Sequence, residues 1–441
     1  MLRTIAAREV LDNLMSLKFL FGTILCLVLV VISTVVSLQD YQSRMEEYDN
    51  TLAEFEKNRS WSMVRILRKP EVLSIFACGF DKRFGNVTTS YASGRIPVES
   101  EFIETEESGQ FAAGFASIDF VFVVKVILSL LAIFLSYDAI SGEYERGTLK
   151  LALSRPVSKA SIILGKLIAG GVCMLIPMVM SFILGILIIQ LIGGVGFTSE
   201  DWLRVALIFG VSVFCVMSFY MIGLVVSGRT RRAATSLLIL LLIWIIGVFL
   251  IPGITTAIMD RYRLKTPHPI DNIYAVWRDF SQNNPYKSSQ GMSREAYNRY
   301  RLERYELEDE TNRTIWSIQR RYLNRLHSQA DLVRWICRIS PSESYAYAAE
   351  ALARTDVESH RSLMRYVRSY YEPHRELRKD YYRDREKFEA ERENYSEPVE
   401  APPMDFSASF RAAAPDICLL VVFNVLFFML SVLFFVRYDV H

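Results

Sequence analysis

Six stretches of this chain, residues 19–38, 117–136, 167–191, 205–226, 236–254 and 417–436, are nearly continuous runs of apolar residues. About 20 such residues cross the hydrocarbon core of a bilayer as a helix, which also satisfies its own backbone groups there. The expected fold is therefore an all-α polytopic membrane protein with six transmembrane helices. The average composition, 51% hydrophobic and 22% charged, conceals this because strongly charged segments alternate with the apolar ones. The first run follows Arg3, Arg8 and Lys18, as a signal peptide would. Its apolar core exceeds the usual length, however, and no clear small-x-small cleavage site follows, so it reads as an anchor.

Short basic flanks set the orientation of such a chain. Arg3, Arg8 and Lys18 precede the first run; Arg146, Lys150, Arg155, Lys159 and Lys166 follow the second; Arg229, Arg231 and Arg232 follow the fourth; Arg437 follows the sixth. All fall on one face, which is expected to be cytoplasmic together with both termini. Residues 1–18 read as an interfacial amphipathic helix, with Leu2, Ile5, Ala6, Val10 and Leu14 at helical spacing. Residues 39–116 form a smaller outer segment, irregular around Pro70, Gly79, Gly85, Ser93-Gly94 and Pro97. Residues 259–415 form a large outer domain, mainly helical. In it Ile315, Ile318, Tyr322, Leu326, Leu332, Val333 and Ile336 recur at intervals of three and four, and Ser340-Pro341 offers a fresh helix start. The run Glu397 to Pro403 reads as an extended connector back to the membrane.

Between the second and third runs, at 137–166, stands Asp138-Ala139-Ile140-Ser141-Gly142-Glu143-Tyr144-Glu145-Arg146-Gly147-Thr148-Leu149, then Leu153-Ser154-Arg155-Pro156-Val157-Ser158-Lys159 and Gly165-Lys166. A charged, glycine-punctuated stretch between spans reads as a docking surface, with Ser158 as an N-cap for the third span. The string resembles the cytosolic coupling segment of ABC-2 type transporter permeases. Two further stretches resemble permeases of that kind: Leu73 to Phe80 before Asp81-Lys82-Arg83, and Ile339-Ser340-Pro341 through Leu352, Thr355 and His360, as in permeases with an enlarged outer domain. The resemblance implies the permease subunit of an ABC exporter in a bacterial inner membrane. A separate ATPase would dock on 138–159 through Asp138, Glu143, Glu145, Arg146, Gly147 and Thr148. A second permease chain, identical or related, would complete it. The alternative is a membrane-anchored scaffold whose outer helices recruit an envelope partner; their Tyr and Arg content suits an interface.

The chain carries no Gly-x-x-x-x-Gly-Lys-Ser/Thr; Gly165-Lys166 is followed by Leu167 and lacks the upstream glycine loop. ATP is therefore expected on a partner subunit, with no cofactor and no metal on this chain. His-Glu-x-x-His and Gly-x-Ser-x-Gly are also missing, which argues against an enzyme. His327, His360 and His374 could meet in a folded outer domain, but their default reading is as surface or packing histidines. A net charge of +2 without a basic stripe gives no sign of nucleic acid. Cys78 and Cys337, the cysteines of the outer segments, are a candidate disulfide, against a reading as two unrelated small apolar residues. Lys125, inside the second run, is expected to snorkel outward rather than contact substrate. Asn424 and Gln190 are expected to hydrogen-bond between helices, and Gly170-Gly171 and Gly185 to allow close helix contact.

Overall fold

The computed structural model describes residues 2–57, 63–81, 87–91, 118–148, 159–263, 269–288, 290–395 and 397–436. Several sequence expectations fall on residues 82–86, 92–117 and 149–158. Gly85, Ser93-Gly94, Pro97, Ser154-Arg155-Pro156, the Ser158 cap and Arg437 lie outside the described residues.

Among the described residues, six helices are long and apolar enough to cross a membrane. After α1 (Leu2–Leu14), α2 (Leu17–Lys57) carries the first apolar run and continues well past it. The second is α3, continuous from Phe120–Phe122 through a π-helical stretch, Val123–Leu128, into Ser129–Ser136. A turn then leads to the short α4 (Ser141–Glu145). The third and fourth are α5 (Lys159–Gly193) and α6 (Ser199–Ser227). The start of α6 is fixed by Thr198 and Asp201, whose side chains each accept the other's backbone N–H. The fifth is α7, from Ala233–Ile245 through π-helical Ile246–Leu250 into Ile251–Arg263. The sixth is α13 (Phe406–Val436).

Between α7 and α13 lie α8 (Ile270–Asn283), α9 (Arg294–Cys337), α10 (Pro341–Leu352), α11 (Val357–Arg383) and α12 (Arg385–Glu391). Side-chain caps start three of them: Ser293 on Ala296, Asp356 on Ser359 and Asp384 on Lys387. At 44 residues, α9 spans roughly 66 Å. The all-helical expectation needs one amendment. A small sheet joins β1 (Met63–Leu67) antiparallel to β2 (Val87–Tyr91) and parallel to β3 (Val399–Glu400), in the order β2-β1-β3. The proline-flanked connector thus becomes an edge strand, with Ile66 opposite Val399. Ile66 packs with Leu323, Leu363 and Met364, anchoring the sheet on α9 and α11.

The main core lies inside the helix bundle, and α10 is part of it. Tyr345, Ala348, Ala349 and Leu352 cluster with Ile208 and Cys215 of α6 and with Ala413 and Leu420 of α13. Every residue of α10 except Glu350 is buried. Its alanines let the neighbouring helices close around it, and the Tyr345 hydroxyl meets Ser212 Oγ at 3.1 Å. The stretch expected to belong to an outer helical domain is thus a short helix returned among the spans. Close crossings rely on small residues. A Cβ on Gly170 would stand 2.0 Å from Cζ of Tyr220, and one on Gly223 1.8 Å from the Ser136 oxygen. Asn424 donates to Phe214 O and to Ser218, linking α13 to α6.

Candidate functional site

The turn leaving α3 is fastened to four neighbouring helices. Ser227, at the end of α6, accepts the backbone N–H groups of Ile140 and Ser141, each at 3.0 Å. Lys18, opening α2, donates to Asp138 at 2.8 Å and to the Tyr137 hydroxyl at 2.7 Å. Lys166 of α5 is buried and reaches Glu143 at 2.7 Å and Glu9 of α1 at 2.6 Å. Burial raises the Glu9 carboxyl although Lys166 pulls it the other way. Glu145 accepts the N–H of Ala233, the first residue of α7, at 3.2 Å, where the helix dipole favours an anion.

The six residues expected to dock a partner therefore divide. Asp138 and Glu143 are half-buried and held in internal ion pairs, whereas Glu145, Arg146, Gly147 and Thr148 are exposed. Gly147 has φ +74, a backbone shape that glycine adopts without strain, and open space surrounds it. Thr148 folds back to donate to Glu143 O, and Arg146 to Gly142 O. The result is a compact polar knob on the end of the bundle, with Asp138, Ile140, Ser141 and Glu143 behind it tied to spans.

At the α10 end of the bundle the sequence reading missed a layer of buried ion pairs. Lys125 does not snorkel: it is paired with Glu343 of α10. Arg338 makes a two-pronged pair with Asp416 of α13, at 2.6 and 2.9 Å. Arg354 bonds Glu71 at 2.9 Å and Asp201 at 3.3 Å. Burial lifts Glu71 to about 7 against the pull of Arg354 and Arg68. Arg204, fully buried, donates to Glu200 and to Leu352 O. Partners hundreds of residues apart leave no spacing signal; the only hint was charge beside apolar runs.

The candidate disulfide is not formed. Cys78 and Cys337 are both buried thiols. The Cys78 N–H donates to Asp119 in the turn before α3, while Cys337 ends α9, close to Thr255 and Tyr347. Of the three outer histidines, two meet: Nε2 of His327 lies 3.2 Å from Nδ1 of His360. His374 is fourteen residues further along α11, roughly 21 Å away. Among the described residues, no group of three or more His, Cys, Asp or Glu side chains is placed to hold a metal ion.

Burial, with Arg361 alongside, pulls His327 down to about 4, although Asp331 and Glu358 act in the opposite sense. Burial, His327, Arg68 and Arg361 pull His360 down to about 3. A group whose pKa falls on folding adds stability that is present above its unfolded value and is lost as pH drops through the folded one. The pair should therefore weaken the packing of α9 on α11 as pH falls from about 6.5 toward 4. Thermal unfolding followed at about pH 7.5 and about pH 5 checks this. The loss on acidification is expected to be smaller in His327→Gln/His360→Phe than in the parent, and an equal loss would assign the pH response elsewhere.

A family model described as ABC-2 family transporter protein matches residues 3–440. Over 56 residues the chain is 39% identical to a probable ABC transporter permease protein NosY of Stutzerimonas stutzeri. The matched stretch is 13% of this chain and spans 20% of that relative's length.

Proposed function

Because the chain belongs to the ABC-2 family of transporter proteins, a transmembrane and non-catalytic subunit of an ABC transporter, we propose that the knob at Glu145, Arg146, Gly147 and Thr148 is where a separate ATPase docks. The reading places the knob and both termini in the cytoplasm of a bacterium, the chain in the inner membrane, and α8, α9, α11 and α12 outside. ATP binds to the partner subunit. A second permease chain, identical or related, completes the transporter, which acts as an exporter.

The observation that carries this reading is how the knob is fastened. A docking element transmits motion only if it is short, rigid and continuous with what must move. Here Lys18 ties it to α2, Lys166 to α5 and α1, Ser227 to α6, and the Glu145 cap to α7. Pushing the knob therefore loads at least four spans together. Asp138 and Glu143 serve as positioning residues behind the contact surface, not as contacts.

The test uses the exposed residues, because reversing Glu143 would also break the Lys166 cluster. Arg146→Glu with Thr148→Arg is expected to lower the ATPase subunit recovered with the tagged chain, from native membranes in mild detergent, by about tenfold or more. Vanadate-sensitive hydrolysis in the eluate should fall with it, while the thermal midpoint of the chain stays unchanged. Recovery of the ATPase at the parent ratio would remove the docking role from this knob. Recovery of envelope proteins alone, from the parent chain as well, would favour a scaffold.

A further inference from the structure

Where α3, α7, α9 and α10 meet, at the end of the bundle opposite α4, there is a cavity of about 150 Å³. Both π-helical stretches of the spans border it: Lys125 and Val126 from Val123–Leu128, Val248 and Phe249 from Ile246–Leu250. A π-bulge interrupts regular helix packing and tends to be kept where a helix serves a ligand. Two facing one cavity from different spans are hard to ascribe to packing alone.

The ionisable groups on the wall are mostly engaged. Asp119 accepts the N–H groups of Cys78 and Phe122, each at 2.9 Å. Lys125 and Glu343 are paired. Arg334 points toward Asp416 at 3.7 Å and Asp356 at 3.9 Å and lies over the Tyr347 ring. Glu350 differs. It is the one residue of α10 that is not buried, and it lines the cavity. Among the described residues, neither a hydrogen bond nor an ion pair engages its carboxyl.

The placement of Glu350 is built. Its Cγ would stand 3.0 Å from a Cβ on Gly79, which has φ +48 and whose Cβ would also come within 2.7 Å of Thr355 O. Only glycine fits there, and its absence of a side chain leaves the Glu350 stem its course. A carboxyl in a largely apolar chamber, with no hydrogen-bond donor and with Arg334 shared with Asp356 and Asp416, is costly as an anion. A ligand ammonium would supply both charge and donors, and the Phe122, Phe249 and Tyr347 rings add faces that attract a cation.

We propose that this cavity binds an amphipathic ammonium compound, with its charged head on Glu350 and its apolar tail against Phe122, Val248 and Phe249. An anionic ligand is disfavoured because Asp119, Glu343 and Glu350 outnumber Lys125 and Arg334 on the wall. The site rests on its own geometry and stands whether or not the α4 knob docks an ATPase.

The test is calorimetric titration of the full chain in lipid nanodiscs with octylammonium, and with octanol and octanoate as neutral and anionic probes of the same chain length. Empty nanodiscs give the partition background. Octylammonium is expected to bind saturably, one per chain, at least about tenfold tighter than octanol, and Glu350→Gln should erase that difference. Filling the cavity by Val333→Trp should abolish saturable binding. The parent chain gives an independent readout: a hydrophobic carbodiimide should label Glu350, detected by peptide mass spectrometry, and octylammonium should protect it. No saturable binding, an octylammonium preference unchanged in Glu350→Gln, or labelling undiminished at saturating octylammonium would each overturn the proposal.

Discussion

Lys166→Met is expected to lower the stability of the chain by about 3 kcal/mol or more, read as a lower thermal midpoint and yield in detergent. Lys166 is 2% exposed and is the only bonded cation between Glu9 and Glu143 among the described contacts. Removing it leaves two partly buried carboxylates facing each other without a counter-charge, which is far worse than losing one ion pair on a surface. The carboxylates keep some solvent, with side chains 24% and 22% exposed, so the cost belongs at the lower end of that for a buried pair. Adding Glu9→Gln and Glu143→Gln to Lys166→Met should recover most of the loss, because an uncharged cluster has nothing left to compensate. A triple variant no better than Lys166→Met would mean that the lysine acts through packing alone.

The second large effect is expected at the opposite end. Asp416 is fully buried and accepts both prongs of Arg338, with Arg334 behind it. Asp416→Ala strands those guanidinium groups and should cost about 3–5 kcal/mol. It also frees the corner where α9 turns into α10 from the start of α13. Asp416→Asn retains one acceptor oxygen and should fall between the parent and the alanine variant. Thermal unfolding of the purified chains gives the order. Asn and Ala variants of equal stability would mean that the pair contributes little beyond shape.

These two clusters also show how far the sequence could be read. The spans were legible because each apolar run is long and nearly free of charge, a signal that needs no partner. The long helix α9 was legible from its three-and-four spacing, and its end from the break at Ser340-Pro341. The return of α10 into the bundle was not. Its sequence carries Glu343 and Glu350, so by composition it reads as outer surface, and only Lys125, more than two hundred residues earlier, makes Glu343 tolerable there.

The same limit applies to the knob. The string from Asp138 to Thr148 was recognisable as a unit, and its resemblance pointed to the right family. Which of its charges face a partner depends on Lys18 and Lys166, neither of which announces its contact in sequence. The resemblance therefore suggested six equivalent residues where the fold distinguishes two internal anchors from four exposed ones. The three-stranded sheet was missed for a related reason. Its strands are two to five residues long, and β3 is separated from β1 by most of the chain.

The most direct test of the docking account is site-specific photo-crosslinking in native membranes, with a benzophenone side chain placed at Thr148 or, as the comparison, at Leu307 on the exposed face of α9. The account predicts a nucleotide-binding subunit crosslinked from Thr148 and none from Leu307. An ATPase captured from Leu307, or none captured from Thr148 while the same subunit co-purifies with the chain, would contradict it.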